Sequence, residues 1–180
     1  VFRFFRKTYE ANQEQEHARE LANVTDRAED LLSRKIDLVL LHFPIPHSPW
    51  LSDSSPDRNE PNKGKGYLGN VVVADEVLGR LRRTLETEGQ WDRSIVLVSS
   101  DHWWRGAPLV NGKRDHRIPF MLKLADQKVG TEYNGTFNTV LTRKLILRLL
   151  EGDIRKPSDA VEWIKRNSDL AETPFTLTKP

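Results

Sequence analysis

The chain contains no cysteine, which excludes disulfides, a thiolate nucleophile and cysteine-ligated zinc, and leaves His, Asp and Glu as its metal ligands. It also lacks a dominant charge. Lys and Arg number 28 against 26 Asp and Glu, a formal net charge of +2. That balance does not give the concentrated positive field a nucleic-acid partner requires. No apolar run approaches the roughly 18 residues of a membrane span, and no charged-then-apolar leader pattern opens the sequence. Internal repeats and low-complexity segments are missing too. What remains is 180 residues, 37% hydrophobic and 30% charged, enough for one domain with a sizeable core. The sequons at Asn23 and Asn134 bear only on a secreted eukaryotic chain, and the compartment is unknown.

Hydrophobic periodicity divides the chain. From Thr8 to Arg34, Ala18, Leu21, Ala22, Val24, Ala28, Leu31 and Leu32 recur at helical spacing among Glu, Gln and Arg, predicting a long amphipathic helix. "KIDLVLLHF" then reads as a strand covered on both faces. Residues 43–66 hold five prolines and two glycines, so a long surface loop is expected there. Val71, Ala74, Leu78, Leu81 and Leu85 predict a second helix face, with Arg80, Arg82 and Arg83 turned away and Gly89 as its end. "SIVLVSS" and "RIPFMLKL" read as two more strands, "TFNTVLTRKLILRLLEG" as a helix, and "SDAVEWIKR" as a short helix capped by Ser158. This order implies an α/β fold, a layered sandwich with a mainly parallel sheet.

In open α/β sheets, ligands gather at the carboxyl ends of strands. His42 and His47 follow the first predicted strand, Asp101 and His102 follow the second, and His116 stands just before the third. His17 lies within a polar helix, where a solvated side chain is expected. Asp101 and His102 could offer an oxygen and a nitrogen to one cation, zinc, manganese or calcium. The alternative is a turn capped by Asp101, with the indoles of Trp103 and Trp104 covering the sheet edge. In "HFPIPHSPW", Pro44, Pro46 and Pro49 hold the backbone near polyproline geometry, which lowers the entropy cost of fixing two histidines; a rigid turn with incidental histidines is the competing reading. Lys63, Lys65 and Arg105 add positive charge for a substrate anion, or are ordinary solvated loop cations.

Taken in order, these pieces resemble the carboxyl-terminal half of the catalytic domain of the sulfatase family, in the alkaline phosphatase superfamily. The resemblance is carried by "LLHFPIPHSPW", by "YLGNVVVADEVLG" with Tyr67, Asp75 and Gly79, by "DRSIVLVSSDHWW", and by "RIPFMLKL" with Arg117 and Pro119; "FNTVLTRKLILRLL" is similar to the family's following helix. It implies one partial domain over 1–180, with a helical lead-in (1–35), a family-matching core (36–150), and a helix and tail (151–180). It also implies that Asp101 and His102 are ligands of a divalent metal, calcium, manganese or zinc. His47 and His42 then approach the sulfate or phosphate group of a small anionic ester. Lys113 takes the place of a catalytic lysine, with Lys63, Arg105 and His116 as further substrate-binding groups. Asp75 is implied to serve packing on its helix.

Departures from the family pattern set further expectations. Trp103 stands where the family has glycine, so the backbone there can take a different path. Lys113 lies nearer the Arg-Ile-Pro segment than the family's lysine, and His116 intervenes. The nucleophile, made from Cys, Ser or Thr in this superfamily, and the further acidic ligands belong to an amino-terminal half of the domain, and no C/S-x-P-x-R stretch is present. The expectation is therefore a fragment of a metal-dependent hydrolase of sulfate or phosphate esters, inactive alone and missing the other half of its domain. Two alternatives stand beside it. One is a fragment of a phosphoethanolamine or glycerol-phosphate transferase, a class usually preceded by membrane helices. The other is a catalytically dead sulfatase-like module with Trp50, Trp103 and Trp104 as an aromatic platform.

Overall fold

Good helix formers fill the first stretch of the chain, without glycine or proline, and they form α1, Phe2–Leu32. The structure, a computed structural model, describes residues 2–34, 36–51, 66–106 and 112–168, with no side-chain description for 2–8, 10 and 11. The chain divides into two compact units, Val1–Trp91 and Asp92–Pro180.

In the first unit, α1 buries His17, Leu21, Thr25 and Ala28, one helical stripe at steps of three and four. Thr25 donates its hydroxyl to the Leu21 carbonyl at 2.7 Å, as expected of a buried helical threonine. His17 corrects the expectation of a solvated side chain. It is only 7% exposed because it lies one turn before Leu21 on the stripe, and its Nε2 has no hydrogen-bond partner among the described residues.

The second helix, α2, is Tyr67–Thr87 and buries Gly69, Asn70, Val77, Leu81 and Leu85. The buried face is turned from the expected one, since Val71 and Leu78 are exposed and the polar Asn70 is inside. Arg80 bridges to Glu29 at 2.7 Å and to Asp26 at 3.1 Å, and Gln90 donates to the Leu32 carbonyl. These pairings advance together along both helices, so α1 and α2 run in the same direction. Gly89 ends α2 at φ 62, a conformation glycine adopts without a Cβ penalty, with its N–H on the Glu86 carbonyl.

Between the helices, residues 36–45 form neither helix nor ladder among the described residues. Leu41, Phe43 and Ile45 pack on the cluster of Leu21, Ala28, Val77 and Leu81. Ile36, Leu38 and Leu40 face solvent, Leu40 at 91% exposure. The expected strand is thus covered on one face only. An apolar run encodes competence to pair, while the ladder itself needs a neighbour. The Ile45–Pro46 and Ser48–Pro49 bonds that follow are cis.

The second unit begins with β1, Val96–Ser99, which pairs antiparallel with β2, Phe120–Lys123, in the register Leu97↔Leu122 and Val98↔Met121. A mainly parallel sheet is not shown: the one ladder among the described residues is antiparallel. The physical reason lies in the connection: a parallel pair needs a crossover, typically helical, whereas residues 100–119 return the chain beside β1 with no helix among their described residues.

Asn138 accepts the Val140 N–H and opens a 3-10 turn, Thr139–Leu141, that leads into α3, Thr142–Leu150. The last helix, α4, is Pro157–Asn167. Its cap corrects the sequence reading. Lys156 is the N-cap, Pro157 fits the first turn because it has no N–H to satisfy, and Ser158 lies inside the helix. Asp159 accepts the backbone N–H groups of Arg155 and Lys156. Leu124, Leu145, Leu149, Ile154 and Ala160 form the core, joined by Phe120, Leu122, Phe137 and Trp163.

Candidate functional site

All the candidates of the second unit lie on the connection between β1 and β2. Where β1 surfaces, the Ser100 hydroxyl donates to the His102 carbonyl at 2.7 Å and holds the turn. His102 Nδ1 lies 2.7 Å from the Trp103 carbonyl oxygen. A carbonyl only accepts, so Nδ1 carries a hydrogen, and in the neutral imidazole Nε2 is then the atom with the lone pair. That Nε2 stands 4.0 Å from Asp101 Oδ1. The 4.0 Å gap is somewhat wider than the roughly 3.4 Å between neighbouring ligands of a tetrahedral ion, so a small side-chain rotation would bring the two groups to a shared cation. An imidazole that gives its other N–H to a backbone carbonyl is also the arrangement metal-bound histidines use. The fit is partial. Zinc takes four ligands and calcium six to eight, and no group of three His, Cys, Asp or Glu among the described residues could hold an ion.

The pair opens onto a cleft of about 990 Å³. At the same rim, the Trp103 indole stacks on the His116 imidazole, with centroids 4.8 Å apart and planes at 30°. Arg117, also on the rim, is engaged by Asp115, whose carboxylate accepts its Nε at 2.9 Å and also its backbone N–H. The guanidinium beside it, with that backbone bond, pulls the Asp115 carboxyl down to about 2. Inside, the Phe120 and Phe137 rings meet at 4.6 Å, and Ile164 of α4 lines the wall. Such a cleft, polar at the mouth and aromatic within, has the size of a small-ligand site.

The remaining candidates are placed differently. Arg105 and Lys113 are exposed and do not line the cleft. Lys63 and Lys65 lie outside the described residues. Trp104 packs over Gly106, where a Cβ would come 2.7 Å from the indole, so its ring covers backbone.

In the first unit, His42 and His47 are exposed on the segment that follows residues 36–41. The loop carrying His47 is tied to α2 by Asn70, whose amide bonds the backbone at His47, Pro49 and Leu51. Apolar periodicity passed over Asn70, because a polar residue on a helix reads as solvated; its one sequence signal is an amide in the first turn beside Gly69. Burial pushes the Tyr67 hydroxyl up from its ordinary pKa. Asp75, expected to serve packing, is exposed.

Comparison with known proteins supplies the family. The multifunctional alkaline phosphatase superfamily protein PehA of Trinickia caryophylli is 30% identical over 101 residues, which cover 52% of this chain. Those residues span only 20% of the length of PehA. No solved structure matches the chain. The sulfatase family model matches residues 5–142, taking in both parallel helices, both strands and the whole connection that bears the Asp101–His102 pair, so the chain belongs to the sulfatase family.

Proposed function

We propose that this chain supplies part of the site of a divalent-metal-dependent hydrolase of sulfate or phosphate esters. The observation that carries the proposal is the Asp101–His102 pair at the carboxyl end of β1, with Nδ1 engaged by a backbone carbonyl and Nε2 4.0 Å from the carboxylate. Asp101 and His102 would hold the metal, whether calcium, manganese or zinc, together with acidic ligands from the amino-terminal half of the domain. When bound, the cation polarises the ester and lowers the pKa of the attacking oxygen.

The other residues of the chain bind and orient. His47 and His42 offer imidazole N–H groups to the sulfuryl or phosphoryl oxygens, and His116 on the cleft rim adds a third. Lys113, Arg105 and Lys63 contribute positive charge near the anion. Residues 1–180 are read as one partial domain of a layered fold with a mainly parallel sheet. The chain on its own turns over no ester.

A specific observation also favours a binding module. Trp103 stands in the glycine position and stacks on His116 at the mouth of an aromatic-lined cleft. Metal analysis separates the two readings. In the whole protein that contains this chain, purified metal should fall in Asp101→Ala and His102→Ala together with ester hydrolysis. Unchanged metal content and activity would overturn the hydrolase assignment of this pair.

A further inference from the structure

Asn70 is wholly buried, yet its amide makes three hydrogen bonds to one loop. Nδ2 donates to the carbonyl oxygens of His47, at 2.5 Å, and Pro49, at 3.1 Å, while Oδ1 accepts the Leu51 N–H at 2.7 Å. The amide orientation follows from chemistry. Only the nitrogen can face two carbonyls, and only the oxygen can take an N–H. The loop cannot meet this need itself, because Pro46 and Pro49 have no N–H, and carbonyls turned inward need a donor. A helical side chain anchored beside the buried stripe of Val77 and Leu81 therefore sets the path of the segment that bears His47.

From this geometry we infer that Asn70 is a positioning residue for His47, holding the loop so that the exposed imidazole keeps one place from which to meet an oxyanion. The inference rests on the reading of His47 as a group that faces the ester's sulfuryl or phosphoryl oxygens. It goes beyond that reading by assigning the control of His47 to a residue that touches no substrate. A site on a loop is only as well placed as the rigid element that supports it.

The test uses the full chain labelled with 15N, its Asn70→Asp and Asn70→Ser variants, and inorganic sulfate and phosphate as probes. Asn70→Asp keeps size and the acceptor for Leu51 but sets a carboxylate oxygen against two carbonyls. Asn70→Ser is smaller and uncharged, and covers the case in which a buried carboxylate prevents folding. In Asn70→Ser, which is too short to reach the loop, amide exchange at Leu51 should quicken by about tenfold or more, the loss expected of a broken hydrogen bond, and in Asn70→Asp it should quicken because the carboxylate repels the His47 and Pro49 carbonyls and loosens the loop. The His47 ring signals should move, and their response to sulfate and phosphate should weaken, while the amides of Ala28, Val77 and Leu81 stay in place. Unchanged Leu51 exchange and His47 signals would overturn the inference. So would equal disturbance of Ala28, Val77 and Leu81, which would make Asn70 a packing residue of the helix pair. A wild-type His47 ring silent to both anions would instead overturn the reading of His47 itself, whatever the variants do.

Discussion

The carbonyl oxygen of Trp103 takes the Nδ1–H of His102 at 2.7 Å, so a backbone group orients the neighbouring imidazole. Its indole meanwhile stacks on His116 at 4.8 Å. One residue thus orients two imidazoles at the rim of one cleft, its backbone holding the first and its side chain the second. Trp103 is integrated into the candidate site through both its backbone and its indole.

If Asp101 and His102 share a cation, losing either one should lower metal affinity of the whole protein by at least about 10–100-fold, the loss that even outer-shell changes produce. Competition against a chelator, with metal analysis of the purified protein, measures this. Affinity within error of wild type in both Asp101→Ala and His102→Ala would rule out the pair as ligands.

Trp103→Gly removes the stack and leaves the carbonyl that holds His102. The loss of stability should reach about 0.5–1.5 kcal/mol beyond that of burial, and Trp103→Phe should recover most of it. Denaturant titration gives the energies. Ring-proton shifts report the stack directly, because the His116 signals should lose their indole ring-current displacement in Trp103→Gly while those of His102 keep their tautomer.

Arg117 holds Asp115 ionised far into acid. The folded carboxyl titrates at about 2 against an ordinary 3.8, so the contribution of the pair is complete above about 3.8 and is lost as pH falls through this window towards about 2. The side-chain Nε–H signal of Arg117, followed by acid titration, should change over that range. In Asp115→Asn it should show no such step, and an unaltered wild-type signal down to pH 2 would contradict the pairing.

Leu145 is the most deeply buried leucine of the second unit, and Leu145→Ala should destabilise it by about 2–5 kcal/mol. Leu147 lies on the exposed side of the same helix, so Leu147→Ala should stay within about 0.5 kcal/mol. Chemical denaturation of the two variants side by side checks the contrast, and similar losses would mean that the burial of α3 is misassigned.

Much of the local structure is legible in the sequence. Apolar periodicity marks α1, α2, α3 and α4, and branched runs mark β1 and β2, because these signals are carried by neighbours in the chain. Family membership is legible from motifs kept in order. The rest depends on partners distant in sequence. The run at 36–43 reads as a strand from its own residues, but pairing requires a second segment. Asn70 and His17 look like surface positions until the buried stripes of their helices are known. The Trp103–His116 stack joins residues across a turn whose path no spacing rule specifies, and the sheet direction depends on how residues 100–119 return.

The row formed by Ile36, Leu38 and Leu40 also governs how the molecule behaves in a crowded solution. A run of branched side chains on an uncovered face is a template on which a second such segment can grow edge to edge. Proteins ordinarily blunt such templates with charge, and here Asp37 is the one gatekeeper within residues 36–41. Such a row is a place where copies of the chain can associate wherever no other segment covers it.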